Sequence, residues 1–106
     1  MANTYVNAKA DLTSTSVTTL YTCAALTTGI VRSILVSEDS GNADTVTVTI
    51  TNGTAVFSLF KTKAVGANAT VELLTEPLVV QTGEILKVTA ATANRLHVVA
   101  SILEIT

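Results

Sequence analysis

Aliphatic and hydroxyl residues alternate without a break from Thr45 to Thr51. Val46, Val48 and Ile50 point one way, and Thr45, Thr47, Thr49 and Thr51 the other. A two-residue side-chain period belongs to a β-strand. One face of that strand is apolar, and the other is a ladder of hydroxyls without charge. Asn52-Gly53 follows, the strongest short signal for a hairpin. A second strand, Thr54 to Lys63, is therefore expected to return antiparallel to the first, with Val56 and Phe60 on one face and Phe57 and Leu59 opposite or flanking.

The rest of the chain repeats this rhythm of β-branched segments and turn residues. Weak alternation from Thr4 to Leu12 predicts an N-terminal arm or an edge strand over residues 1–12, with a sandwich domain over 13–106. Ser16 to Ala24 reads as a strand, and Thr27-Thr28-Gly29 as a turn. In Ile30 to Glu38, Ile34 and Val36 are expected to share a face with Ile30, and Val31 and Leu35 to take the other. A strand apolar on both faces belongs at the centre of a sheet. Val65-Gly66-Ala67-Asn68 reads as a turn, and Ala69 to Thr75, Leu78 to Val80 and Ile85 to Ala91 follow as strands, with Pro77 an interruption. The last strand, Arg95 to Ile105, places Leu96, Val98, Ala100 and Ile102 on one side and Val99, Leu103 and Ile105 on the other. No segment reads as a helix. About eight strands with short turns predict an all-β, antiparallel β-sandwich, with a jelly roll as one form of it and a closed barrel as the alternative.

Composition turns attention from chemistry to contact. In 106 residues, 48% are hydrophobic and only 13% charged, about half the usual charged share. Interfaces are depleted of charge, so a sparsely charged, threonine-rich surface implies cover by other subunits. The six cations are scattered through a chain of net charge −2. Phosphate binding needs clustered cations, so nucleic acid is not an expected partner. No apolar run approaches membrane-spanning length, and Met1 to Tyr5 lacks the pattern of a signal peptide; synthesis in a cytoplasm and no membrane partner are expected.

Cys23 is the single cysteine and His97 the single histidine. Two such ligands cannot make a zinc site. No G-x-S-x-G elbow accompanies His97, and no glycine-rich phosphate loop occurs. The one carboxylate cluster is Glu38-Asp39-Ser40-Gly41-Asn42-Ala43-Asp44. Glu38, Asp39, Asn42 and Asp44 offer oxygens of the kind calcium takes, although the spacing is not that of an EF-hand and a solvated turn is the plainer reading. Without tryptophan there is little aromatic platform for a sugar, and Phe57 and Phe60 are expected in the core. No cofactor is implied and no catalytic residue is assigned; the expectation is a protein that is not an enzyme.

The segments Asp11-Leu12-Thr13-Ser14, Leu20-Tyr21-Thr22, Gly29 to Ile34, Leu78 to Leu86 and Ser101 to Ile105 together resemble the small β-sandwich virion proteins of tailed bacteriophages, those of cyanobacterial phages among them. The resemblance covers about residue 11 to the C-terminus and carries over no functional residue. It implies a virion structural protein, assembled in the host cytoplasm. A capsid decoration (cement) protein is the form expected: a homo-oligomer, with trimers the common case, bound to the major capsid protein or other virion proteins. A neck, tail or fibre component is the alternative, and a calcium- or carbohydrate-binding module using the 38–44 loop is a second. The candidate interface residues are Tyr5, Val6 and Leu12 in the N-terminal segment and Val99, Leu103 and Ile105 in the last strand. A threonine ladder lining a ligand pocket would count against this architectural reading.

Overall fold

The computed structural model describes residues 2–106. It contains nine strands: β1 (Asn3–Asp11), β2 (Thr18–Thr22), β3 (Thr28–Glu38), β4 (Asp44–Thr51), β5 (Val56–Val65), β6 (Thr70–Glu72), β7 (Leu78–Val80), β8 (Ile85–Ala90) and β9 (Leu96–Ile105). The first sheet has the order β1-β9-β3-β6, with β7 also on β3, and the second the order β2-β8-β4-β5. Every pairing is antiparallel. The expected antiparallel sandwich is the fold observed.

The strand order has a simple origin. Counting β6 and β7 as two halves of one strand, the chain is a ribbon doubled back at the β4–β5 hairpin. The pairs β4 with β5, β3 with β6 and β7, β2 with β8, and β1 with β9 are its successive rungs. Rolling that ribbon into two layers gives the jelly-roll arrangement. The threonine-ladder strand is thus at the closed end of the ribbon. Its turn is longer than the two-residue loop expected: Thr51 pairs with Val56, and the Asn52 side-chain oxygen accepts from the amides of Thr54 and Ala55 at 3.0 Å each.

The core lies between the inner faces. Val31, Ile34, Val36, Val98, Ala100 and Ile102 of the first sheet meet Leu20, Val46, Val48, Leu86, Val88 and Ala90 of the second, all buried. Tyr21 ties the layers together at one end, its hydroxyl donating to the Glu104 carboxylate at 2.6 Å. Gly29 makes room for that ring, because a Cβ there would sit 2.9 Å from the Tyr21 oxygen.

Three local expectations are corrected. The β3–β9 register shifts between Val31 and Ser33, so a bulge reverses the sidedness of the strand's first part. Val31 therefore joins Ile34 and Val36 inside, while Ile30 and Leu35 face outward. The bulge also frees the Ile34 amide, which donates to the Glu72 carboxylate at 2.8 Å. Phe57 is exposed, while Phe60 packs on the core; register shifts on either side of Val48 curl β5 away from the inner face. Val65, expected in a turn, ends β5 and is fully buried.

Candidate interaction surfaces

Directly opposed residues of antiparallel strands point to the same side of a sheet, so the registers define rows across the outer face of the first sheet. Tyr5 opposes Leu103, Leu103 opposes Ile30, and Ile30 opposes Val79. This row crosses four strands without a charge. Tyr5 is 71% exposed and Val79 52%, while Leu103 and Ile30, flanked on both sides, are half-buried. Ile105 lies on the same face, between Asn3 and Thr28.

Two residues along the strands is a polar row of Asn7, Ser101 and Ser33, with the bulge residue Arg32 beside it. Next come Lys9, Val99, Leu35 and Glu72. Here the two exposed aliphatics, Leu35 at 40% and Val99 at 37%, are flanked by a cation at one edge of the sheet and an anion at the other. The face ends in a row of Asp11, His97 and Ser37.

Four of the six residues expected at an interface, Tyr5, Val99, Leu103 and Ile105, therefore share one surface. Val6 and Leu12 do not. Val6 packs against the core from β1. Leu12 is 1% exposed, and its backbone is fixed by bonds to Leu96 and Asn94. Both face inward because they are one or an odd number of residues away from Tyr5 in the strand register, and Leu12 has no apolar surface left for a partner. Ile30, Leu35 and Val79 belong to the surface but were not expected there. Ile30 and Leu35 are separated by an odd number of residues, and only the bulge brings them to one face. The polar pair Arg32-Ser33, interrupting an otherwise apolar run, is the sequence signal for it.

The outer face of the second sheet differs. Thr51 opposes Ile85, Thr49 opposes Lys87 and Thr47 opposes Thr89. These residues, with Val17, Gly53 and Val56, line an open groove of about 520 Å³. Its lining combines four threonines and Lys87 with the aliphatic Val17, Val56 and Ile85. The ladder thus does line a concavity, the observation set against a purely architectural reading. No aromatic side chain and no carboxylate lines it.

The chemically suggestive groups are occupied. Glu38 is buried and accepts from the amides of Ser40 (2.7 Å), Gly41 (3.0 Å) and Asn68 (3.0 Å), and from the Ser40 hydroxyl. Burial pushes its carboxyl up, but the Ser40 hydroxyl and the Asn68, Ser40 and Gly41 amides outweigh burial and hold it at about 2. Asp44 accepts from the Thr92 amide at 3.0 Å. Glu38 and Asp44 are thus spent on pinning loops, Glu38 joining its own loop to the 66–69 turn, instead of converging on a cation. Among the described residues no group of three or more His, Cys, Asp or Glu side chains is placed to hold a metal.

His97 lies between two carboxylates, Nε2 3.2 Å from Asp11 and Nδ1 3.5 Å from Asp39. With both nitrogens so placed, neither is directed at a hydroxyl as a general base would be. Cys23 is buried, its thiol donating to the Thr27 carbonyl at 3.2 Å.

No protein-family model matches the chain, and no curated protein does. Two solved structures, both of a pentameric capsid protein isolated from metagenomic phage sequences, are similar to it at 19% identity and a TM-score of 0.48. Each likeness covers 93% of this chain but only 60% and 58% of the other, so the chain spans about three fifths of their length.

Proposed function

We propose that the protein is a non-enzymatic structural subunit of a phage virion, and within that class a capsid decoration (cement) protein docked on the outer shell. The observation that carries the reading is the charge-free row Tyr5–Leu103–Ile30–Val79, continued by Ile105, on the outer face of the first sheet. A contiguous apolar patch on a sheet's solvent side marks a contact site, and the 13% charged content suits a surface largely covered in the assembled state. The occupied states of Glu38, Asp44, His97 and Cys23 support a role without chemistry. The jelly roll is shared by capsid domains, lectins and cupins, so the choice among them rests on these surfaces and on the sequence resemblance, and not on the fold.

In this reading β1 acts as a docked edge strand, adding Tyr5 to the patch, and the work is done by many weak contacts multiplied by the symmetry of the shell. Each copy bound to the assembled shell, and not to its separate parts, stabilises the shell by mass action. The test is co-sedimentation with emptied, undecorated phage shells. Saturable binding that raises the temperature of shell disruption is expected. Absence of binding to shells, with binding to tails or necks, would move the protein to the tail.

The groove on the second sheet favours one other reading, a site for a hydroxyl-rich ligand such as a saccharide. Thr47, Thr49 and Lys87 would supply its polar contacts. A glycan-array screen tests this: specific binding abolished by Thr49→Val supports it, and an empty array removes it.

A further inference from the structure

We propose that the outer face of the first sheet binds a second copy of this chain, face to face, about a twofold axis that runs parallel to the strands between β9 and β3. This inference rests on reading the protein as an assembly subunit, and it identifies the contact. An axis in that position turns the sheet over and exchanges its edges. β1 of one copy then lies over β6 and β7 of the other, and β9 over β3, while every row keeps its level along the strands.

The rows are complementary to themselves under this operation. Tyr5 lies over the partner's Val79 and Leu103 over the partner's Ile30, so the charge-free row meets itself. Val99 lies over the partner's Leu35, which brings together the two other exposed aliphatics of the face. The polar row of Asn7, Ser101, Ser33 and Arg32 stacks on its own copy. Lys9, at the β1 edge, lies over the partner's Glu72 at the opposite edge, and the symmetry makes this ion pair twice.

Glu72 remains an anion there. Burial raises its carboxyl, but the Ser33 hydroxyl and the amides of Ile34, Leu74 and Leu73 outweigh that and lower it. A twofold axis perpendicular to the strands through the polar row would instead keep Lys9 on the β1 side of both copies, setting it over the partner's Tyr5 and setting Glu72 over the partner's Val79, so that both charges would be left without a counter-charge. The charge placement therefore selects the axis parallel to the strands. Four strands spaced about 4.8 Å apart, over about nine residues of length, bury roughly 600 Å² per copy and on the order of 1,200 Å² in total, the lower end of a standard interface. A reversible, concentration-dependent dimer is the expected state.

Sedimentation equilibrium across roughly 1 µM to 1 mM protein tests the contact. A monomer–dimer equilibrium is expected. Leu35→Asp and Val99→Asp should each weaken it about tenfold or more, the cost of an unpaired buried charge. Val56→Asp, on the outer face of the other sheet, should leave it unchanged. Lys9→Glu, an exposed edge substitution that does not depend on core packing, should weaken the dimer, and adding Glu72→Lys should restore it. Because Glu72 also accepts the Ile34 amide, each variant is first checked for an unchanged circular dichroism spectrum, and Lys9→Glu alone suffices if the double variant misfolds. A monomer at the highest concentration, a trimer, or equal loss from Val56→Asp and Val99→Asp would overturn the proposal. A monomer that still coats shells removes the twofold contact and keeps the decoration role; a dimer that ignores shells does the reverse.

Discussion

The division of β1 and its continuation into an inner and an outer face can be tested by a pair of substitutions, Leu12→Ala and Tyr5→Ala. Leu12 is 1% exposed in the core cluster, and its backbone is held from both sides by Leu96 and Asn94, so the chain has little freedom to collapse into the space left. Truncating a buried leucine in such a site costs about 2–5 kcal/mol. At about 4–8 °C per kcal/mol for a domain near this size, the melting temperature should fall by roughly 8–40 °C. Tyr5, 71% exposed at a sheet edge, contributes mainly its cross-strand pair with Leu103, worth about 0.2–1 kcal/mol. Its loss should lower the melting temperature by only a few degrees. Thermal melts followed by circular dichroism, at a protein concentration low enough to keep the chain monomeric, make the comparison. Equal costs for the two variants, or a neutral Leu12→Ala, would refute the assignment of faces.

Three further outcomes are expected. Glu38 ionises at about 2 when folded, against an ordinary 4.5, so the unfolded chain binds more protons between these values and stability rises with pH there; urea melts of Glu38→Gln should lack the part of the acid-induced loss below about pH 4.5 that the wild type shows, and an unchanged profile would contradict the loop-pinning role. Gly29→Ala drives a methyl toward the Tyr21 ring and should cost about 1–3 kcal/mol in chemical denaturation, as overpacking does. Asn52→Ala removes the acceptor for the Thr54 and Ala55 amides and should cost about 1 kcal/mol or less in the same assay, with amide exchange accelerated at those two positions by nuclear magnetic resonance.

Much of the sandwich is legible in single strands. The threonine ladder and the β9 alternation each place one clean apolar face, and the inner residues Val46, Val48, Leu96, Val98, Ala100 and Ile102 follow from period two alone. What alternation cannot reveal is a change of period. The extra residue in β3 is invisible to a two-residue count, which sends Ile30 and Leu35 to opposite faces although they share the outer one. The same limit applies to β5, where two register shifts leave Phe57 in solvent. The split of β6 from β7 could be read from Pro77, which has no amide to donate to a ladder. The burial of Leu12 is not legible because a leucine at the end of a weakly alternating segment looks unburied until Leu96 and Asn94 are brought beside it by the fold. The proposed interface is therefore only half legible: β9 supplies its residues directly, while the contributions of β3 and β7 depend on registers that only the assembled sheet defines.

A low-resolution electron-microscopy reconstruction of undecorated phage shells mixed with the purified protein tests whether this chain is a shell-bound assembly subunit. Added density at symmetry-related positions on the outer surface of the shell is expected. Shells that stay bare at saturating wild-type protein, or density confined to the tail, would contradict it.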